Sequence, residues 1–129
     1  MEYEEITQKI IACAYKVHNT LGFGFLESVY ENSLVIELIK AGFNVKQQFP
    51  IDVYYEGHCV GSFKADVIVD DLIILELKSV QNLAKESEVQ LVNYLTATRK
   101  DVGLLLNFGP QKVEVKRKVR ILPDKGTYL

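Results

Sequence analysis

The 129-residue chain has two cysteines, two histidines, three prolines and no tryptophan. Cys13 and Cys59 stand outside any partner motif, which excludes a disulfide framework and predicts reduced thiols in a cytoplasmic protein. Only His18 and His58 could join them, and those four side chains are spread too widely for a structural zinc site. No apolar run approaches the roughly 18–20 residues of a membrane span. The opening "MEYEEITQK" is acidic and lacks the basic and apolar regions of a secretory signal, so no membrane association is expected. Internal repeats, low-complexity tracts and Pro/Gly/Ser linkers are absent too. Residues 1–129 therefore read as a single domain.

What is present is ordinary in bulk and uneven in detail. Composition is 48% hydrophobic and 25% charged, as in a soluble globular protein, and the net charge of −2 gives no global pull toward nucleic acid. Residues 1–40 hold six acids against three lysines. Residues 109–125 reverse this: Lys112, Lys116, Arg117, Lys118, Arg120 and Lys125 face only Glu114 and Asp124. Such a segment could track phosphates, or it could guard an edge strand with lysines.

Apolar spacing predicts helices over 3–20 (Ile6, Ile10, Ala14, Val17), 26–41 (Leu26, Tyr30, Leu34, Leu38) and 84–99, separated by Gly22 and closed by Gly42. Residues 43–58 alternate and read as two short strands interrupted at Pro50. A hairpin follows, with strands at 59–69 and 72–79, then a buried strand over 102–109 and a charged one from Val113. The order α-α-β-β-β-β-α-β-β describes an α/β or α+β domain whose mixed sheet is flanked by helices.

Within "VIVDDLIILELKSV", Glu76 and Lys78 are two apart in a branched apolar run, so they share one strand face. Burying two charges costs several kcal/mol each unless they pair or serve a site. Asp66, ten residues before Glu76, is the other carboxylate within reach. Two carboxylates suit Mg²⁺, which keeps several waters for a phosphate-containing substrate, and a nearby lysine can hold the attacking water. A two-residue turn at Asp70-Asp71 would set Asp66 opposite Leu75, leaving Asp66 and Glu76 on opposite faces. A shared site needs one residue of slip, and Asp-Asp is a poor two-residue turn. The slip is the expectation.

Two helical stripes add polar groups. Glu27, Tyr30, Glu31 and Leu34 share one face of the second helix, where Glu27 also suits the positive helix start. A stripe mixing acid, phenol and leucine does not belong wholly to a core. Glu86, Gln90 and Tyr94 line one face of the third helix and could orient a phosphate or a base edge. His18, at the end of the first helix, fits either a charge at the helix terminus or a catalytic role.

Taken together these residues resemble the PD-(D/E)XK nuclease superfamily, and within it the bacterial and archaeal GxxExxY proteins. Gly24-Phe25-Leu26-Glu27-Ser28-Val29-Tyr30 matches that name, Asp66 with Glu76-Leu77-Lys78 matches the acid–acid–lysine signature, and Gln90 to Tyr94 matches the Q-x-x-x-Y helix of the RecB-like branch. Ala65 stands where the signature has proline, which affects a turn rather than a ligand. The likeness implies a restriction-endonuclease-like core and Mg²⁺ or Mn²⁺ bound by Asp66, Glu76 and the carbonyl of Leu77. Glu27 would reach the ion directly or through water. Lys78 would activate the water, and Gln90 and Tyr94 would orient water or substrate. The implied function is a metal-dependent nuclease, with DNA the favoured partner. The alternatives are an inactive nuclease-fold binding or assembly module and a purely structural ion pair. A homodimer or a recruiting protein partner is compatible with the exposed tyrosines and the charged edge.

Overall fold

The computed structural model describes residues 2–120, so Asp124 and Lys125 of the basic segment lie outside the described residues. Eight elements follow in order: α1 (Glu2–Leu21), α2 (Glu27–Lys40), β1 (Val45–Tyr55), β2 (His58–Val69), β3 (Ile73–Lys78), α3 (Lys85–Thr98), β4 (Val102–Phe108) and β5 (Val113–Val119). The strands form one sheet in the order β1-β2-β3-β4-β5. Only β3 and β4 are parallel, joined through α3 as a crossover helix.

The expected fold class holds, but the two short strands either side of Pro50 are one. Pro50 pairs with Lys64 inside the single strand β1. Because β1 is the sheet edge, a residue without an N–H can sit there with no ladder donor lost.

Side-chain alternation sorts the strands into two cores. Val67, Val69, Ile73, Leu75, Leu104 and Leu106 pack under α1 and α2, against Ile10, Tyr30 and Leu34. Ile68, Ile74 and Leu105 point the other way, under Leu91, Tyr94 and Leu95 of α3. Gly103 lets α3 approach β4 closely, since a Cβ there would lie 2.8 Å from Leu91 Cδ1.

Candidate functional site

The β2–β3 hairpin has the one-residue slip. Its ladder pairs Val67 with Leu75, Ile68 with Ile74 and Val69 with Ile73, leaving residues 70–72 as the loop. Asp70 and Asp71 both adopt left-handed φ (54° and 55°), and the Leu72 N–H closes the turn on the Val69 carbonyl at 2.9 Å. Neighbours hold this unusual pair: Asp70 accepts the Asn44 N–H at 2.8 Å, and Lys46 pairs with Asp71 at 3.0 Å.

Counting back from Val67–Leu75 sets Asp66 opposite Glu76. There the sheet forks, with β2 continuing along β1 and β3 along β4. The two acids bridge the fork with their own oxygens. The Asp66 N–H donates to Glu76 Oε2 at 2.9 Å, and the Leu77 N–H donates to Asp66 Oδ2 at 2.8 Å. Each carboxylate thus uses one oxygen on the opposite strand's backbone, and the second oxygen of each lies outside these bonds.

Burial raises both proton affinities. Glu76 is 8% exposed, and its pKa is pushed up to about 8, first by burial and then by the charge of Asp66, with Lys78 pulling back. Asp66 is also raised, mainly by burial, against the lowering effect of its bond from Leu77. Two buried acids whose ionised forms are both disfavoured are a donor set that a hard divalent cation would relieve. Among the described residues no group of three His, Cys, Asp or Glu side chains forms a ready cage. Two carboxylates alone would suit a divalent ion that keeps much of its water.

Lys78 shares the α3 side of β3 with Glu76. It is half-buried and forms no salt bridge or side-chain hydrogen bond with a described residue. A purely structural Glu76–Lys78 pair is therefore not what the fold contains. Leu77 packs its side chain into the α1–α2 core, with only its backbone at the fork.

From α3, the buried Tyr94 carries its hydroxyl toward the acids. Burial raises its pKa, and the Glu76 charge adds to this. Gln90, exposed, donates to that hydroxyl at 2.7 Å. Both line a groove of about 980 Å³ between α3 and the far half of β1–β2, walled by Phe63, Tyr54 and Arg99. The carboxylates adjoin this groove through Tyr94 but do not line it.

A sequence model of the PD-(D/E)XK nuclease superfamily matches residues 4–118. The chain belongs to that superfamily. No curated protein matches it by sequence. Two solved structures share the superfamily chain's fold. One is the crystal structure of SSO0001, at 18% identity and a TM-score of 0.55, covering 78% of this chain and 52% of that one. The chain thus spans about half the length of that relative. The other is an alkaline exonuclease, LHK-Exo, from Laribacter hongkongensis, at 12% identity and a TM-score of 0.50, covering 88% and 82% respectively.

Other sequence expectations distribute differently. Tyr30 is wholly buried, stacked on Phe108 at 4.6 Å, and its hydroxyl donates to the Gly22 carbonyl while accepting the Phe25 N–H. It belongs to the core and pins the α1–α2 loop, while Glu27 on the same stripe is exposed. His18 is buried as well and donates from Nε2 to the Gly109 carbonyl at 2.7 Å, a contact within the fold. The basic segment is partly spent: Lys118 pairs with Glu88 at 2.7 Å and Arg120 with Asp101 at 2.8 Å. That favours the guarded-edge reading for β5.

Glu27 is exposed, and its charge reaches Asp66. One turn on, Glu31 is buried, and its charge acts on both Asp66 and Glu76. Sequence spacing put Glu31 on the right stripe but did not single it out as a site residue. Gln48, whose side chain works against the rise in the Asp66 pKa, gave no signal at all.

Proposed function

We propose that the protein is a divalent-cation-dependent phosphodiesterase acting on nucleic acid, with DNA the favoured polymer. Within the superfamily, Glu27 and Tyr30 with their glycine, and Gln90 with Tyr94, support a GxxExxY protein of the RecB-like branch. The chain works in this reading as one nuclease-like domain in the cytoplasm, and no described helix is long and apolar enough to cross a membrane. The observation that carries the reading is the fork, where two acids from neighbouring strands face each other beside Lys78, which forms no ion pair with a described residue.

Asp66, Glu76 and the Leu77 carbonyl would hold Mg²⁺ or Mn²⁺, with Glu27 reaching it directly or through water. Such an ion supplies Lewis-acid activation of water and charge neutralisation at phosphate. The chain's residues do the rest. Lys78 would direct its N–H donors at a phosphate oxygen and offset the negative charge there as the water oxygen, losing its proton to solvent, bonds to phosphorus and the leaving oxygen departs and takes a proton from solvent. Gln90 and Tyr94 orient the phosphate from the α3 side. Because a chain of 129 residues offers little surface for reading base edges, specificity would come from substrate structure, a partner or a second copy.

The test uses purified protein with labelled single-stranded, duplex and branched DNA, in Mg²⁺, Mn²⁺ or EDTA. Cleavage should require the cation and vanish in Asp66→Ala and Glu76→Ala. Cleavage that persists in both variants would point to a contaminant and end the proposal. The partial neutralisation of the basic segment favours one rival, a nuclease-fold binding or assembly module without turnover. Calorimetry separates them, since a carboxylate-dependent Mn²⁺ site belongs only to the first.

A further inference from the structure

Gln48 has the one unusual backbone conformation within β1. Its φ is 51°, while Gln47 pairs with Val67 and Phe49 with Ala65, so by register Gln48 faces Asp66. A left-handed residue inside a strand interrupts its alternation. Val45 packs with the α1–α2 core, yet Phe49 and Ile51 pack under α3. These odd-numbered residues would share one face of an unbroken strand. The reversal at Gln48 also brings two consecutive amides to one carboxylate. Gln47 Nε2 donates to Glu31 Oε2 at 2.9 Å, and Gln48 Nε2 reaches Oε1 at 3.0 Å and Oε2 at 3.2 Å. Non-glycine residues in this region are uncommon and persist where surrounding contacts over-determine them, often at working sites.

We propose that Gln48 is a positioning residue: its left-handed backbone and its amide hold Glu31 at the fork, and so set the affinity for a divalent cation between Asp66 and Glu76. This rests on the cation-binding reading above. It goes further in assigning the control of that site to an edge-strand glutamine rather than to the acids alone.

The experiment is Mn²⁺ titration calorimetry on the full chain, paired with thermal unfolding. Gln48→Gly accepts the same φ without strain and removes the side chain with its amide. It should bind Mn²⁺ about tenfold more weakly, with an unfolding midpoint within about 3 °C of wild type. Gln48→Asn tolerates the same backbone, but its amide is too short for Glu31, so it should show the same loss and decides the matter if the glycine variant folds poorly. Gln47→Ala, which keeps both Gln48 bonds, should lose less than about twofold. Wild-type affinity in Gln48→Gly and Gln48→Asn overturns the inference while leaving the cation site standing. An equal loss in Gln47→Ala overturns it too, since general amide support would then suffice. A wild type that takes up no Mn²⁺ overturns the cation reading and this inference with it.

Discussion

The two ends of the β2–β3 pairing are three residues apart and have opposite chemistry. At the turn end, Val67, Ile68 and Val69 pair with Leu75, Ile74 and Ile73, and all six side chains are 0% exposed. Helices cover both faces, so backbone groups are satisfied by the ladder and side chains by packing. At the fork, carboxylates accept the N–H groups that an extended ladder would have paired. The same strands thus offer a rigid closed half that holds an open half in place. Acids stay at the open half because each supplies a backbone acceptor there as well as a charge.

The contrast breaks most sharply under substitution of the acids. Asp66→Ala and Glu76→Ala should each lower cleavage by about 10³-fold, the scale seen when a group stabilising transition-state charge is removed. Their folded fraction at 25 °C should change little, as circular dichroism would show. A variant that loses structure and cleavage in parallel would make the fork a structural device.

At the closed end the order of effects inverts. Leu75→Ala removes a side chain with no exposed surface and should cost about 2–5 kcal/mol in urea unfolding. Cleavage per folded molecule should stay near wild type, because the fork acids keep their backbone partners.

A third difference lies in pH. Glu76 is raised from 4.5 to about 8, so between those values the native state holds a proton that the unfolded chain has released. Stability is then fully present below pH 4.5 and falls as pH rises through 8, by up to about 1.4 kcal/mol per unit. Asp66 shifts in the same direction, and Glu31 pushes Glu76 upward while Lys78 opposes it. Glu76→Gln should flatten the slope. Mn²⁺ should do the same with proton release, since a ligating carboxylate must be ionised. Urea midpoints from pH 5 to 8, with EDTA and with Mn²⁺, measure both. A stability that rises with pH in EDTA would contradict the buried pair.

Periodicity made the helices and the buried strand β4 legible in the sequence, and turn chemistry did the same for the hairpin slip. The slip was readable because Asp-Asp fits a two-residue turn poorly and because Asp66 and Glu76 need a common face. Pro50 misled, because a proline that breaks a central strand is harmless on an edge, and edge position is a property of the whole sheet. Glu31 and Tyr30 could not be ranked from spacing, since a one-turn stripe does not say which member faces the core. Gln48 was invisible: glutamine carries no preference for positive φ, and only the Glu31 contacts single it out.

The smallest effect tests how far the site extends along α3. Tyr94→Phe keeps the ring that packs against Phe63 at 5.8 Å and removes only the hydroxyl that accepts the Gln90 amide. Water can replace that partner on the exposed Gln90, so stability should fall by about 1 kcal/mol or less. If the hydroxyl orients phosphate or water, cleavage should drop about tenfold, a loss of about 1.4 kcal/mol in the transition state. Gln90→Ala then separates the readings, since its surface position predicts a stability change within about 0.5 kcal/mol. A matching tenfold loss of cleavage would extend the working surface from the fork onto α3. Wild-type cleavage in both variants would confine it to Asp66, Glu76 and Lys78, and leave the groove beyond Tyr94 to substrate shape alone.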